Sequence, residues 1–220
     1  MRILSLDCAS ALCSVCLWHD GAVAAQAIEE MERGQDARLI PMVQTVMTQA
    51  GITYADLDRI AVTRGPGSFT GLRIGLATAQ GIGFAAGKPV LGVDRFALYR
   101  EQNKTFSKAL LVVLESRRRE LYCCLYPANA LPLEPALLTA DEIAAKLAHD
   151  RSLMIAGDGA LALAGAGVEA SRFLPRSSEV EAITCARLAA EAGEGDPAFL
   201  PRPFYLRPPD VTVKRCEGTV

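Results

Sequence analysis

The stretch "RGPGSFTGLRIGLATAQG" at residues 64–81 decides the fold, because a strand, a tight turn and a helix meet within it. Its glycines and proline predict the turn after a short strand at 59–63, and Ser68 or Thr70 can cap the N terminus of the helix. Amide groups at such a terminus can hold an anion. The stretch nevertheless matches neither G-x-x-x-x-G-K-[ST] nor G-x-G-x-x-G, so it is a poor indication of a phosphate site.

The helix predicted from about residue 70 to 87 carries a row of small residues. They recur every four positions, at Gly71, Gly75, Ala79, Gly83 and Gly87. Glycine inside a helix costs about 1 kcal/mol relative to alanine, so close packing must offset the loss. Two interpretations are open at this point: the row packs the helix tightly against its own sheet, or part of the helix surface is shared with another chain.

The elements on either side of this helix predict an α/β fold. A three-stranded antiparallel meander is predicted first, with Asp20 and Gly21 as a hairpin turn, at residues 2–7, 11–20 and 22–30. A helix at 38–50 follows, and Pro41 is expected to mark its start or a bend. The later elements are predicted at 89–93, 94–103, 109–115, 120–126, 139–150, 152–157 and 181–193. This order favours mixed sheets flanked by helices, and two successive units of this kind suggest a duplicated architecture.

A boundary between two lobes is predicted in the segment "NKTFSK" at residues 103–108. The N-terminal lobe then covers residues 1–103 and the C-terminal lobe residues 104–220. The tail after residue 200 is too rich in proline to be helical, and we expect it to pack back on the first lobe.

The composition excludes several classes of protein. Half of the 220 residues are hydrophobic, 22% are charged and the net charge is −2, which is an ordinary globular composition without the clustered positive charge of a nucleic-acid-binding domain. The N terminus reaches Asp7 too soon for a signal peptide, and charges interrupt the most apolar stretch, at 72–93, so no membrane span is predicted. We therefore expect a cytoplasmic protein. The seven cysteines show no disulfide or zinc framework and are expected to be reduced thiols.

Residues 64–93, "RGPGSFTGLRIGLATAQGIGFAAGKPVLGV", closely resemble the signature of the TsaB (YeaZ) family of bacterial threonylcarbamoyladenosine biosynthesis. Five further segments resemble the family in order: "RILSLDCASALCSVCLW", "RLIPMV", "LESRRRELY", "GDGA" and "FYLRPPDVT". The resemblance spans nearly the whole chain. It implies an ASKHA fold, actin-like and ribonuclease H-like, with two related lobes.

The resemblance also implies a function. The chain is expected to be a non-catalytic subunit required for threonylcarbamoyl transfer to the adenosine next to the anticodon in tRNA. Its expected partners are the catalytic paralogue TsaD, the ATPase TsaE in the assembled complex, and a second copy of itself when alone. Any contact with tRNA is expected to be indirect or weak. The chain alone is expected to bind no cofactor or metal, whereas ATP and a divalent metal belong to the wider complex.

The helices at 38–50 and 70–86 are the expected partner interface. The first has more apolar positions than one sheet-facing stripe of about 100° requires, and the second carries the row of small residues. The predicted interface residues are Leu39, Met42, Val43, Val46, Gly71, Leu72, Gly75, Leu76, Ala79 and Gly83.

The resemblance further implies a vestigial nucleotide cleft, formed by Asp7, Glu115, Gly157 and Asp158. Asp7 ends the first strand, where actin-like ATPases hold a magnesium-linked acid, and Asp158 lies where they place an adenosine loop. The chain departs from the family pattern at Cys8, in Glu115-Ser116-Arg117 and at Gln35. These departures fall on ligand-like positions, and they count against nucleotide binding.

Two alternative functions fit the sequence less well. A free-standing ATP-dependent phosphotransferase of the same fold would require Asp7 at a metal. A peptidase, as the older M22 glycoprotease label of the family suggests, would need a metal or an activated nucleophile. The chain has only two histidines, His19 and His149, and contains neither H-E-x-x-H nor G-x-S-x-G. No catalytic residue is therefore predicted.

Overall fold

The computed structural model describes residues 1–150, 152–175, 181–193 and 195–207. They form two mixed β-sheets with helices packed against them, which confirms the predicted α/β class. The strands are β1 Arg2–Asp7, β2 Leu12–His19, β3 Ala22–Glu30, β4 Arg59–Gly65, β5 Val90–Asp94, β6 Leu110–Leu114, β7 Glu120–Tyr126, β8 Ala136–Thr139 and β9 Met154–Ala156. The helices are α1 Gln35–Ala50, α2 Phe69–Ala86, α3 Arg95–Gln102, α4 Ala140–Ala148, α5 Ala160–Gly165 and α6 Glu181–Glu191.

The first sheet has the strand order β3-β2-β1-β4-β5. The first three strands form the predicted antiparallel meander, in which Asp20 and Gly21 take positive φ angles of 47° and 94° at the hairpin turn. β1 then pairs in parallel with β4, and β4 pairs in parallel with β5. The carboxyl ends of β1, β4 and β5 therefore lie along the same edge of the sheet, which is where α/β folds place their ligand sites.

Helices α1 and α2 pack against each other and cover one face of this sheet. Pro41 lies inside α1 rather than at its start, since the helix begins at Gln35. In α2 the Ser68 side chain accepts a hydrogen bond from the amide of Gly71 at 3.2 Å, as its predicted role as an N-cap requires. Both helices end at a glycine in the left-handed conformation, Gly51 and Gly87.

The row of small residues on α2 packs against the chain's own sheet. A Cβ atom on Gly71 would lie 2.0 Å from the carbonyl oxygen of Cys8, and one on Gly83 would lie 2.3 Å from Cγ2 of Val90. Side chains at these positions would displace the neighbouring strand, so the glycines are needed for the close approach of helix to sheet. Of the two interpretations of the row, tight packing on its own sheet explains it.

The second sheet has the strand order β8-β7-β6-β9, with β6 and β7 as the predicted hairpin. Thr139 and Glu142 form a reciprocal capping box at the start of α4. Two elements were not predicted from the sequence, β8 and α5, which are four and six residues long. Elements this short show too few turns of periodicity to stand out in a sequence.

The C-terminal segment returns to the first sheet. Helix α6 covers the face of that sheet opposite α1 and α2, and its Cys185, Ala186 and Ala189 join a core cluster with Ile3 and Leu98. The division at residues 103 and 104 assigned α6 to the second lobe, whereas it completes the core of the first.

The tail also lies on the first lobe as far as it is described. The amide of Phe204 donates to the carbonyl of Arg64 at 2.7 Å, and Tyr205 lies against the ring of Phe69, with the ring centroids 5.1 Å apart. The part of the predicted tail from 208 to 220 lies outside the described residues. No helix among the described residues is long and apolar enough to cross a membrane.

Candidate functional site

Asp7 is buried at the carboxyl end of β1, at the edge where α/β folds bind ligands. Its Oδ1 atom accepts a short hydrogen bond from the hydroxyl of Thr63 and another from the amide of Ala9 at 3.1 Å. Its Oδ2 atom has no hydrogen-bond partner among the described residues. The carboxyl group is therefore only half satisfied.

Burial raises the pKa of Asp7 to about 8, and the neighbouring carboxylate of Glu181 adds to this rise. The cation of Arg95 opposes the rise but does not cancel it. At pH 7 the Asp7 carboxyl is consequently mostly protonated and neutral. Magnesium prefers charged oxygen donors, so an ion bound at this carboxyl would have to displace its proton.

Arg95 is the first residue of α3 and is only 1% exposed. Its guanidinium connects the first half of the chain to the second, where Glu181 and Asp158 lie. Nη2 donates to Oε1 of Glu181 at 2.8 Å and to Oδ2 of Asp158 at 2.9 Å. Nε donates to Oε2 of Glu181 at 3.0 Å. Nη1 donates to the carbonyl of Pro66 in the glycine loop at 3.3 Å. Tyr99 completes what we call the Arg95 cluster (Arg95, Tyr99, Asp158 and Glu181), as its hydroxyl donates to Glu181 at 3.0 Å.

The charges of the Arg95 cluster hold one another in place. Burial by itself would lower the pKa of Arg95, but the carboxylates of Glu181 and Asp158 raise it well above its ordinary value. The arginine is thus a permanent buried cation with a bidentate carboxylate partner, the strongest geometry that such a pair adopts. The cluster has little capacity left to bind the phosphates of a nucleotide.

Three predicted cleft residues, Glu115, Gly157 and Asp158, lie in the second half of the chain, and Asp158 is the one that belongs to the Arg95 cluster. Its Oδ1 atom accepts the amide of Glu115 at 2.8 Å. The carboxylate of Glu115 instead caps its own turn, accepting the amide of Arg117 at 2.6 Å. Gly157 has a φ of +119° and brings its backbone against the carbonyl of Val113, so it serves a tight turn.

Four residues of the site were not predicted from the sequence: Thr63, Arg95, Tyr99 and Glu181. Arg95 and Glu181 are 86 positions apart, and nothing in the sequence near either of them shows that they meet. The one available signal was the position of Arg95, a charged residue directly after the buried strand β5. His19 is the exposed last residue of β2 and His149 lies at an exposed turn after α4, and the described residues contain no cluster of three or more metal-binding side chains.

The ten residues predicted to form the partner interface are buried in the chain's own core. They are Leu39, Met42, Val43, Val46, Gly71, Leu72, Gly75, Leu76, Ala79 and Gly83. The apolar surplus of α1 is taken up by the sheet and by α2, which is why the periodicity of the helix alone overestimated its exposed surface. The residues that these helices offer to solvent are different ones, with Ile40 43% exposed and Phe84 92% exposed.

Comparison with known proteins identifies the family. Residues 28–167 match the family model described as "TsaD: tRNA N6-adenosine threonylcarbamoyltransferase". The TsaB protein of Escherichia coli K12, named a tRNA threonylcarbamoyladenosine biosynthesis protein, is 34% identical over 160 residues, which are 72% of this chain and 69% of that protein. The chain belongs to the TsaB (YeaZ) family. The resemblance seen in the sequence is therefore confirmed.

Solved structures agree with this assignment. YeaZ from Pseudomonas aeruginosa superimposes with a TM-score of 0.73 and 27% identity, covering 93% of this chain and 99% of that one. A ROK hexokinase from Thermus thermophilus superimposes with a TM-score of 0.50 at 14% identity, covering 87% and 100% of the two chains. The hexokinase shows the fold alone. Together they confirm the ASKHA fold for this TsaB family member.

Proposed function

We propose that this chain is a non-catalytic subunit in tRNA threonylcarbamoyladenosine biosynthesis, which binds and stabilises the catalytic paralogue TsaD. The family assignment supports the pathway, because the curated relative in E. coli carries that name. The match to the model of the transferase supports kinship with TsaD, so a pair of related folds can meet through equivalent elements.

The observation that carries the non-catalytic role is the Arg95 cluster. The carboxyl ends of β1, β4 and β5, where an actin-like enzyme would hold a nucleotide, are occupied by a buried ion pair between Arg95 and Glu181. Asp7 beside it has a pKa of about 8 and is mostly neutral at pH 7. The pairing of Arg95 with Glu181 and Asp158 supports a structural part for this chain, with ATP and a divalent metal used elsewhere in the complex.

The outward face of α2 is the proposed partner surface, together with the neighbouring outward face of α1. Phe84 is a large apolar side chain that is almost completely exposed on α2. Gly81 lies one turn before Ala85 on the same exposed side, and a Cβ atom built on it meets nothing within 4 Å. An exposed aromatic beside small residues suits a closely packed helical contact, since aromatic side chains act as anchors in interfaces. The same surface would serve a homodimer when the paralogue is absent, and TsaE would join the assembled complex.

The test uses two surface variants and a matched control. Phe84→Asp removes the apolar anchor, and Gly81→Leu adds bulk to the small part of the surface without touching the core. Leu161→Asp is the control, because Leu161 is 85% exposed but lies on α5 in the second half. Calorimetry with the purified paralogue should show loss of binding for the first two variants and normal binding for the control.

Activity measurements complete the test. The chain alone should transfer no threonylcarbamoyl group to tRNA, and activity of the mixture with the paralogue should fall only for the variants that lose binding. If both α2 variants fold and bind the paralogue as tightly as the native chain, the proposed surface is wrong. Transfer by the isolated chain would overturn the non-catalytic role.

A further inference from the structure

The first two strands bring a pair of cysteines together below the surface. Cys8 follows β1 and Cys13 lies in β2, and their sulfur atoms are 3.5 Å apart with both side chains buried. Asp7 and Ser14 form the last rung of the β1–β2 ladder. Cys8 and Cys13 therefore stand where the next rung would be, across the mouth of the hairpin loop.

This placement suits a covalent bridge. Residues directly opposite each other in an antiparallel pair have Cα atoms about 4.5–5.5 Å apart, and disulfides span Cα distances of about 4.4–6.8 Å. The sulfur atoms are 3.5 Å apart, so rotation of the side chains must bring them about 1.5 Å closer to reach bonding distance. Cys123 and Cys124 are a contrasting pair, because consecutive residues of a strand point to opposite faces of the sheet.

The two thiols are also chemically unequal. The two sulfur atoms share a hydrogen bond in which either thiol can be the donor. With Cys8 as the donor, this bond lowers the pKa of Cys13 and raises the pKa of Cys8, and burial adds to the rise at Cys8. In that arrangement Cys13 is the better nucleophile, and Cys8 is placed to resolve whatever forms on it. This is the arrangement of an attacking cysteine beside a resolving cysteine.

We infer that Cys8 and Cys13 are an oxidation site, at which hydrogen peroxide converts the two thiols to a reversible disulfide. The Cys13 thiolate attacks one peroxide oxygen, the O–O bond breaks, and the departing hydroxide takes up the proton that Cys13 released. The sulfur of Cys8 then attacks the sulfenic acid, so that the S–S bond forms, the S–O bond breaks and the hydroxide leaves as water with the Cys8 proton. Peroxide is reduced to water and both sulfurs are oxidised.

The loop between the two cysteines links this site to the rest of the fold. The carbonyl of Ala9 accepts the amide of Ser68, the N-cap of α2, at 2.8 Å, and the carbonyl of Ala11 accepts the amide of Met31 at 2.7 Å. Ser10 and Leu12 in this loop are half-buried, whereas the two cysteine side chains are buried. The bridge would fix the loop that supports the start of α2. This inference does not depend on the proposed function.

The test is mass spectrometry of the full chain after hydrogen peroxide treatment and alkylation of the remaining thiols. Before alkylation the native protein should be lighter by two hydrogen masses, and after unfolding and alkylation five of its seven cysteines should carry the label. Digestion that cleaves after Leu12 should leave the Cys8 peptide joined to the Cys13 peptide. Dithiothreitol should reverse the change. Cys8→Ser and Cys13→Ser should each abolish the bridge, whereas Cys16→Ser and Cys123→Ser should retain it.

Three outcomes would overturn the inference. One is a bridge that disappears in Cys16→Ser, which would assign it to a different pair. Another is oxidation of exposed methionines with both Cys8 and Cys13 still open to alkylation after unfolding. The third is irreversible oxidation of Cys13 without a bridge. The digestion of the native chain gives its answer even if a serine variant fails to fold.

Discussion

At the scale of single residues, Asp7 shows that burial determines the protonation state of a side chain, which the sequence alone does not reveal. An aspartate at the end of the first strand reads as a magnesium ligand by resemblance. In the folded chain it is enclosed, accepts hydrogen bonds on one oxygen only, and has a pKa raised to about 8, mainly by burial. The sequence locates this residue at the right edge of the sheet, but the protonation state depends on neighbours such as Glu181 that are far away in the chain.

The raised pKa of Asp7 predicts a pH-dependent stability. A carboxyl with a folded pKa above its unfolded value stabilises the fold fully below about pH 4. That contribution is lost as the pH rises toward about 8, where the folded group also ionises. The slope is at most about 1.4 kcal/mol per pH unit.

Asp7→Asn keeps the shape of the side chain and removes its titration. The difference in unfolding free energy between this variant and the native chain, measured by urea unfolding, should therefore grow in favour of the variant from pH 5 to pH 8. A difference that stays constant over this range would show that Asp7 is ionised in the fold.

The Arg95 cluster predicts strong coupling between two residues. Arg95→Met leaves Glu181 buried without its partner, which should cost about 3–5 kcal/mol of unfolding free energy. In the double variant Arg95→Met with Glu181→Gln, no unpaired charge remains from that pair, so the loss should be clearly smaller than the sum of the two single losses. Denaturant unfolding in a double-mutant cycle measures the coupling. Additive losses would mean that the ion pair adds nothing to the fold.

At the scale of elements, the strands and long helices could be predicted because their periodicity and turn residues are local. The meander with Asp20 and Gly21, and the helix start at Ser68, depend on neighbours within a few positions. The faces of α1 and α2 could not be assigned in the same way. Helix α2 has few polar residues, so its sequence shows no clear polar face. Helix α1 has one apolar stripe, but the stripe does not show by itself whether the chain's own sheet or another chain covers it.

At the same scale, alanine substitutions at two glycines of α2 should change the unfolding free energy in opposite directions. Gly71→Ala places a Cβ atom 2.0 Å from a backbone oxygen of Cys8, so the helix must move and the unfolding free energy should fall by about 1–3 kcal/mol. At Gly81 a Cβ atom meets nothing within 4 Å. Gly81→Ala should therefore raise the unfolding free energy by about 0.5–1 kcal/mol through helix propensity. Thermal unfolding of both variants under one set of conditions decides this, and equal effects would contradict the packing described for α2.

At the scale of the whole molecule, the two halves of the chain are not separate units. The sequence predicted a division at 103 and 104 from composition and element order, and the two sheets do fall on either side of it. However, α6 comes from the second half and covers one face of the first sheet, where it packs against Ile3, Ala61 and Leu91. The predicted division separates the strands of the two sheets correctly. It does not separate the two cores, because a helix from later in the chain packs on the first sheet.

This arrangement predicts that residues 1–103 do not fold alone. Without α6, the apolar side chains that it covers, Ile3, Ala61, Leu91, Val93 and Leu98, would face water. Burial of a large aliphatic side chain contributes about 1.5–3 kcal/mol, so losing several approaches the whole stability of a typical domain, about 5–15 kcal/mol. Arg95 would also lose both of its carboxylate partners, Glu181 and Asp158.

The expected result for the 1–103 fragment is a non-cooperative urea transition with weak near-ultraviolet circular dichroism. Coexpression with residues 104–220 should restore a cooperative transition, because the second fragment supplies α6 and both carboxylates. A version of the first fragment with Arg95→Met separates the two contributions: if loss of the charge partners alone prevents folding, this change will rescue the fragment. If the unmodified fragment unfolds cooperatively by itself, α6 is an addition to a complete first lobe and not part of its core.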